Sequence, residues 1–313
     1  MIEVFSFKEN NIVQGELKEL NRELSWIRVI SPNKETIEAV SENIGIPIEE
    51  LEEPLEEDER PKISSGKYLE IIYRAPYIEN QEVKTYPIYL YLFQDKLISV
   101  EKEPYQILSN ISLLMEKNKA KFLFKKRLAY FVFYILDKIN DDYLAKIDKI
   151  AANIDVYEEV TKKTLTKRDF ENIYEQSVTL SFFNHALIAN LEVLNALRKG
   201  YFKQISPRDK RYFEELYYDA LQILDTEKIQ REAISNLFNL QSVISANRLN
   251  EFIKKLTTIA LIVAIPTMIS GIYGMNFKSI PLAQHEHGFW ITLGIMLTIT
   301  VTLYIYFKNS DWL

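Results

Sequence analysis

The chain has 313 residues, a formal net charge of −6 at pH 7 and a mean hydropathy of −0.13, values that indicate a mostly soluble protein with a small apolar part. The absence of cysteine excludes a disulfide framework, a thiolate metal site and a cysteine nucleophile. The negative charge argues against nucleic acid as a partner. The first residues, MIEVFSFKENN, lack a basic start and an apolar run, so we expect no secretory signal.

Residues 1–103 have the mixed pattern of a compact cytoplasmic α/β domain. Short runs rich in β-branched and aromatic residues, separated by prolines, predict strands. Ser31-Pro32, followed by Glu35, is typical of a helix start. Eight of the eleven residues 49–59 are acidic, and for most of them we expect a solvated face. The predicted strands are Trp26–Ile30, Leu69–Tyr73, Ile88–Phe93 and Leu97–Val100.

Residues 104–205 predict a helical hairpin, because no Gly or Pro lies between Pro104 and Gly200. Apolar residues at helical spacing indicate a first helix up to about Val160, and a second helix covers Asp169–Lys199, with Gly200 in a C-cap position. We expect the two helices to pack antiparallel. The apolar positions of the first helix are Phe131, Ile135, Ile139, Leu144, Ile147, Ile154 and Val160.

A very long helix is predicted over Asp209–Ile272, since no Gly or Pro interrupts the chain between Pro207 and Pro266. At 1.5 Å per residue it would be roughly 95 Å long. Residues 206–255 would then form its aqueous part, and the rest would enter a membrane. The apolar residues of the aqueous part recur every three or four positions. Packing around the axis of an oligomer and packing against the preceding hairpin both explain this rhythm.

Two uncharged runs, 256–272 and 289–307, contain 17 and 19 residues and are long enough to cross a bilayer as helices. The alternative is a buried helical hairpin in a soluble domain. Residues 273–288 would form an outer loop, and residues 308–313 a cytoplasmic tail. The lysines that flank the two runs place both termini in the cytoplasm of a multi-pass protein of the cell membrane, in bacteria the inner membrane.

One face of the first membrane helix carries small and hydroxylic residues and continues back into the aqueous part. Such a stripe either makes a close helix–helix contact or lines a water-filled path, where neutral oxygens bind the waters around an ion. Two helices per chain cannot enclose a pore, so the second interpretation requires an oligomer. No Asp, Glu, Lys or Arg lies within the two runs, which argues against a proton-relay transporter. The stripe consists of Asn239, Val243, Ala246, Asn250, Ile253, Thr257, Ala260, Ala264, Thr267 and Gly271.

The segment between the two runs carries the most specific pattern in the chain. Residues 271–277, GIYGMNF, resemble the signature of the CorA-type magnesium transporter and channel family. Arg60-Pro61-Lys62 and Asp141-Asp142-Tyr143 resemble further segments of that family. The resemblance implies an α+β membrane protein that forms a funnel-shaped homopentamer, with a cytoplasmic α/β domain, a long helical stalk and two C-terminal transmembrane helices. It also implies passive, potential-driven uptake of magnesium, with cobalt and nickel as further substrates, closed by intracellular Mg²⁺ bound between protomers.

The resemblance assigns roles to individual residues. Tyr273, Gly274, Met275 and Asn276 would form the selectivity ring at the outer mouth, where neutral oxygens of Gly274 and Asn276 accept hydrogen bonds from hydrated Mg²⁺. Gly274 would also let the backbone approach closely. The other assignments are Asn250 and Thr267 for polar rings, Ile253 and Leu256 for a hydrophobic gate, Glu53 and Glu215 for regulatory Mg²⁺, and Asn239, Val243, Ala246, Thr257, Ala260, Ala264 and Gly271 for the pore lining.

Some residues depart from the family pattern. Asn239 stands where relatives often have an acid, and the outer loop has Lys278 and Leu282 where acids are common. These differences leave the order of selectivity among divalent cations open. His285 and His287 suit a transition metal, although polar loop residues explain them more simply.

Two other functions stay open at this point: a zinc transporter of the same superfamily, and a non-conducting, membrane-anchored metal sensor. We expect no enzyme, because the sequence has no nucleophile–base motif and no P-loop. We expect no organic cofactor. The expected partners are further copies of the chain, the lipid bilayer and divalent cations.

Overall fold

A computed structural model describes residues 1–20, 23–55, 59–79, 82–160, 165–276, 278–310 and 312. The chain forms two compact units, Met1–Ser235 and Asn236–Leu313. Four features named above lie outside the described residues: Phe277 of the signature, Glu56 to Asp58 of the acidic run, and the tail residues Asp311 and Leu313.

A mixed seven-stranded sheet lies at the centre of the first unit. Its strands are β1 (Ile2–Lys8), β2 (Asn11–Gln14), β3 (Ser25–Ile30), β4 (Lys62–Ser65), β5 (Leu69–Glu79), β6 (Glu82–Leu92) and β7 (Lys96–Glu101). The order across the sheet is β2-β1-β3-β7-β6-β5-β4. Only β3 and β7 pair in parallel. The sequence predicts four of these strands and misses β1, β2 and β4, of which β2 and β4 are short, largely exposed edge strands.

The predicted bounds of the two longest strands are wrong, because prolines do not end them. Pro76 lies inside β5 opposite Thr85, and Pro87 lies inside β6 opposite Arg74. At both positions the strand has a partner on one side only, since β4 pairs with β5 only at 69–72 and β7 pairs with β6 only at 89–92. A proline at either position therefore costs no hydrogen bond between strands. Phe93, included in the prediction, follows the end of β6.

Eight helices complete the described chain: α1 (Lys34–Ile44), α2 (Ile48–Glu52), α3 (Gln106–Glu116), α4 (Lys121–Lys125), α5 (Leu128–Val160), α6 (Lys167–Lys199), α7 (Lys210–Tyr273) and α8 (Gly288–Asn309). Short 3₁₀ turns cover Leu17–Glu19 and Glu53–Leu55. Asn33, rather than Ser31, caps α1 by accepting a hydrogen bond from the backbone N–H of Thr36. Thr166 and Asp169 form a capping box at the start of α6.

Helices α5 and α6 form the predicted antiparallel hairpin. Tyr157 meets Asn172 near its turn, and the ring of Tyr143 meets Phe183 further along, with centroids 5.0 Å apart. Leu144, predicted as an apolar contact of α5, is exposed, and Tyr143 takes the buried position instead. A one-residue error of this kind arises because a helix 33 residues long shifts its buried face gradually.

Buried polar groups attach this hairpin to the sheet. The Tyr73 hydroxyl on β5 donates to Asn140 Oδ1 on α5 at 2.7 Å. On α6, Asn190 accepts from the Arg74 backbone N–H at 2.9 Å and donates to the Arg74 carbonyl at 2.8 Å. Arg74 lies on β5 past the positions that pair with β4. Asn190 therefore satisfies its backbone N–H and C=O in place of a neighbouring strand.

The second unit consists of the last part of α7, the loop predicted above as the outer loop, and α8. Both helices are long and apolar enough to cross a membrane. The sequence predicts the end of α7 at Ile272 and the second crossing at 289–307; α7 ends one residue later, and α8 extends slightly further at both ends.

Candidate functional site

The signature follows directly from the C-terminal end of α7. The backbone N–H of Gly274 donates to Ser270 O at 2.9 Å, and that of Met275 donates to Ile272 O at 3.2 Å, so these residues finish the last helical turn. Asn276 comes next and is exposed. The end of a helix carries partial negative charge from its unpaired carbonyls. The signature therefore offers neutral oxygens beside a helix end that favours cations.

Gly274 is not required by the conformation of this chain. Its φ angle lies outside the left-handed region, and an added Cβ would meet Ser270 O at 3.4 Å and Gly271 O at 3.5 Å, which are ordinary contacts. Among the described residues nothing approaches Gly274 closely, so its close approach to a bound group stays a prediction.

The outer loop folds back on the start of α8. The Tyr273 hydroxyl donates to Pro281 O at 3.1 Å, and Leu282 adopts a left-handed φ of 63°. A Cβ on Gly288 would lie 1.9 Å from Leu282 O, so only glycine fits there. Gly288 is not among the residues predicted from the sequence, although a glycine beside an apolar helix start is a signal for such a close approach.

The small-residue stripe is unshielded along its whole length. All ten of its residues are exposed, and an added Cβ on Gly271 would meet no atom within 4 Å. Thr267 donates its hydroxyl hydrogen to Val263 O at 2.8 Å, which leaves oxygen lone pairs facing outward. No intrachain contact among the described residues covers this face.

A different face of α7 is shielded within the chain. At roughly 100° per residue its centre lies about 130° around the helix from the stripe. Thr258 on this face approaches Trp312 O at 3.4 Å, and Lys254 Nζ lies 5.2 Å from the centre of the Trp312 ring. The shielded residues are Lys254, Thr258, Ile262, Ile265, Pro266 and Ile269.

The gate candidates Ile253 and Leu256 project from the same helix, with 49% and 58% of their surface exposed. Asn250 lies one turn before Ile253 and is also exposed. Along α7 towards the signature, the predicted positions are thus first polar (Asn250), then apolar (Ile253 and Leu256) and then hydroxylic (Thr267).

Of the two predicted regulatory carboxylates, Glu53 lies in the 3₁₀ turn after α2. Its Oε2 is 3.0 Å from Lys62 Nζ, and Glu59 Oε1 is 3.2 Å from the same nitrogen. Lys62 therefore already neutralises part of the negative charge around Glu53.

Glu215 lies on an exposed part of α7 near other acids. Burial raises the pKa of Asp219, and the negative charges of Glu215, Asp137 and Asp141 raise it further. Burial also raises the pKa of Asp137, on α5, against the effect of its neighbour Lys138. This group of acids is not predicted from the sequence, where its signal is the i, i+4 spacing of acids on both α5 and α7.

Lys138 is the cation of this acidic group. Its Nζ lies 2.5 Å from Asp141 Oδ2 and 3.2 Å from Asp137 Oδ2. Although burial works in the opposite direction, these two hydrogen bonds raise the pKa of Lys138 to about 12. In the part of the chain that the structure describes, no three acidic or imidazole side chains are placed to hold a metal ion.

The outer-loop histidines are not arranged as a chelating pair. The backbone N–H of His287 donates to His285 Nδ1 at 3.2 Å, and the ring centres are 6.2 Å apart with planes tilted by 55°. One ring nitrogen of His285 is thus used inside the loop.

Comparisons with known proteins identify a matching family and several similar transport proteins. The sequence model of a family described as CorA-like Mg²⁺ transporter protein matches residues 21–309. A cobalt/magnesium transport protein CorA of Methanocaldococcus jannaschii is 31% identical over 315 residues, which cover 98% of each chain. A cobalt/magnesium transport protein CorA of Thermotoga maritima is 28% identical, over 92% of this chain and 83% of the relative.

The solved structures include a full-length counterpart. The complete structure of the CorA magnesium transporter from Methanocaldococcus jannaschii superposes with a TM-score of 0.93 at 26% identity, over 100% of this chain and 99% of that one. It shares the N-terminal α/β part, the long helix and the two apolar C-terminal helices. The chain therefore belongs to the CorA-like Mg²⁺ transporter family.

Proposed function

We propose that this protein is a membrane channel for Mg²⁺, and also for Co²⁺ and Ni²⁺, that works as a homopentamer with both termini in the cytoplasm. The observation that carries the proposal is the uncovered small-residue stripe on α7, which leads to the signature at the end of the same helix. Such a stripe encloses a water-filled path when several copies of α7 face a common axis. Ions then move passively down the electrochemical gradient, without nucleotide, organic cofactor or enzymatic step.

Selection at the outer mouth uses neutral oxygens. Mg²⁺ loses its water shell reluctantly, so it is bound best through its waters. The side-chain oxygen of Asn276 and the backbone oxygen of Gly274, repeated around the ring, accept hydrogen bonds from those waters. The helix ends of α7 add partial negative charge. Tyr273 supports the ring by holding Pro281, and Met275 completes it.

Closure takes place at Ile253 and Leu256. A ring of these apolar side chains expels water when it narrows, and a hydrated ion cannot pass a dry constriction. The polar rings of Asn250 and Thr267 lie on either side of the constriction in the chain and keep the rest of the path wet.

Cytoplasmic Mg²⁺ controls the constriction through Glu53 and Glu215 of neighbouring subunits. Glu215 lies among other acids: burial raises the pKa of Asp219, and the negative charges of Glu215, Asp137 and Asp141 raise it further. Mg²⁺ bound there, with Glu53 of the adjacent copy as a further ligand, would relieve this repulsion and hold the subunits together. When Mg²⁺ is scarce, the repulsion returns and the pore opens. A site shared between copies agrees with the lack of a complete metal site among the described residues of one chain.

The test is Mg²⁺ influx into proteoliposomes under an imposed membrane potential. Asn276→Ala should abolish most of the influx, whereas Gln284→Ala, an exposed amide in the same loop, should leave it unchanged. If the wild type conducts no Mg²⁺, Co²⁺ or Ni²⁺, the channel proposal is wrong and a metal sensor is left. If it conducts only Zn²⁺, the protein is a zinc transporter.

A further inference from the structure

The residue Trp312, in the predicted tail after α8, folds back against α7. Its backbone N–H donates to Phe307 O at 3.0 Å, and the centre of its ring lies 5.8 Å from that of Phe307, which is partly buried in the last turn of α8. Trp312 is 38% exposed, so most of the indole is covered. The end of α8 is thereby connected to the start of the first apolar run.

Two residues of α7 contact Trp312. Lys254 Nζ lies 5.2 Å from the centre of the indole ring, within the range of a cation–π interaction. The hydroxyl of Thr258 donates to Lys254 O at 2.9 Å and approaches Trp312 O at 3.4 Å. Lys254 and Thr258 are four residues apart, so they share one patch of the helix surface. We call the contacts of Trp312 with these two residues the tail contact.

The tail contact covers α7 more completely than any other contact along the first apolar run. Thr258 is 0% exposed, whereas every other residue of the run 256–272, all of which the structure describes, keeps part of its surface open. Burying a hydroxyl is costly unless its hydrogen is used, and the carbonyl oxygens of Lys254 and Trp312 both lie beside it. The chain therefore shields α7 most tightly at this point.

The tail contact lies at the same height as the gate candidates but on another face of α7. Lys254 and Leu256 are two residues apart, which is about 3 Å along the helix axis. At roughly 100° per residue, the middle of the pair Lys254 and Thr258 lies about 150° around the helix from the middle of the pair Ile253 and Leu256. The gate side chains therefore project from nearly the opposite face.

A contact on the back of a helix determines which way its front faces. A rotation of α7 by one residue position, about 100°, would turn Ile253 and Leu256 away from a shared axis. For the helix to rotate in this way, Lys254 and Thr258 would have to leave Trp312. The tail contact therefore opposes the rotation at the height of the gate.

We propose that Trp312 is a positioning residue for the gate, because the tail contact holds Ile253 and Leu256 towards the pore axis and so favours the closed pore. The inference rests on the proposed channel and adds the residue that sets the orientation of its gate. Without the tail contact, α7 turns more freely and the apolar ring narrows less completely. More cytoplasmic Mg²⁺ is then needed to close the pore.

Mg²⁺ influx into proteoliposomes at increasing cytoplasmic-side Mg²⁺ tests the proposal. Trp312→Ala should raise the Mg²⁺ concentration for half-maximal closure roughly two- to fivefold, the change expected from one lost cation–π interaction. Trp312→Phe keeps an aromatic ring and should shift closure less. Tyr304→Ala removes another exposed aromatic side chain near the same end of α8 and should close like the wild type. An unshifted Trp312→Ala overturns the proposal. An equal shift in Tyr304→Ala also overturns it, since Trp312 would then act only as an interfacial anchor.

A cross-link measures the tail contact without relying on conduction. Because the chain has no cysteine, a short bismaleimide can join Lys254→Cys to Trp312→Cys. Intact-mass spectrometry under denaturing conditions should show one reagent attached at both thiols of a single chain. The linked protein should close at the wild-type Mg²⁺ concentration or below, whereas the unlinked double variant should need more. No link, or links only between chains, contradicts the tail contact.

The outcomes separate this inference from the proposed function. A wild type that conducts no divalent cation overturns the channel, whether or not the link forms. A conducting wild type with an unshifted Trp312→Ala overturns the role of Trp312 alone and leaves the channel proposal intact.

Discussion

The two units of this chain treat apolar side chains in opposite ways. In the first unit most of the large apolar residues are buried, and Leu216 on α7 is 0% exposed. In the second unit they face outward, and Leu297 on α8 is 63% exposed. Burial of these apolar side chains away from water therefore stabilises the first unit through the hydrophobic effect. Most of the described apolar side chains of the second unit are exposed in the single chain, as expected of helices that face lipid.

Helix α7 runs through both units and shows the difference on one element. Phe213, Leu216 and Ala220 are buried, whereas Leu256 and Met268 are 58% and 60% exposed. The part of α7 in the first unit buries one helical face in a protein core. The part in the second unit exposes a small-residue stripe flanked by lipid-compatible side chains.

The largest effect expected from this difference is on stability. Leu216→Ala leaves a cavity in the packed core and should lower the free energy of unfolding of the first unit by about 2–5 kcal/mol. Leu297→Ala makes the same chemical change on an exposed surface, where a lipid tail replaces the lost contacts, and should have little effect. Denaturant unfolding in lipid nanodiscs measures both. Equal losses would mean that α8 is packed in a core, as in a soluble helical hairpin.

An intermediate effect is expected in the outer loop of the second unit. Gly288→Ala places a Cβ against Leu282 O and should cost about 1–3 kcal/mol of loop stability, with reduced Mg²⁺ influx. Gly294→Ala is the control, since its Cβ would meet nothing within 4 Å. Limited proteolysis of the loop and influx are the measurements. If Gly294→Ala matches Gly288→Ala in both, the close approach to Leu282 is not what matters.

The smallest expected effect concerns regulation in the first unit. Glu53→Gln and Glu215→Gln should each raise the cytoplasmic Mg²⁺ concentration needed for closure by roughly tenfold, equivalent to about 1.4 kcal/mol of binding. Lys62→Ala removes the cation that competes for Glu53 and should shift closure to lower Mg²⁺. Glu38→Gln and Glu214→Gln, two exposed acids on α1 and α7, serve as controls. Unshifted inhibition curves for all three test variants would show that Mg²⁺ is sensed elsewhere.

Much of the fold follows from the sequence because local patterns agree with the tertiary structure. The long segments without Gly or Pro become α5, α6 and α7, and the uncharged runs become the two helices of the second unit. The errors occur where tertiary context decides. Pro76 and Pro87 are tolerated because each has an unpaired side of its strand, and a sequence does not reveal which positions lack a neighbour.

The candidate site is predictable to a different degree. The stripe is visible from spacing alone, but its exposure is not, and exposure is what excludes packing within the chain. The acids around Glu215 come from two helices far apart in sequence, α5 and α7, so no single segment reveals them. The contact between Gly288 and Leu282 depends on a left-handed backbone conformation at Leu282, which is disfavoured for leucine.

Whether the stripe lines a water-filled path is tested most directly by cysteine accessibility, since the chain has no native cysteine. Ala264→Cys lies on the stripe, and Ile259→Cys lies on a lipid-compatible side of the same helix and is 52% exposed in the single chain. A charged, water-soluble thiol reagent should modify Ala264→Cys in conducting proteoliposomes and block Mg²⁺ influx, while Ile259→Cys should stay unmodified and conducting. Modification of Ile259→Cys with Ala264→Cys protected would contradict the pore and assign the stripe to packing between helices.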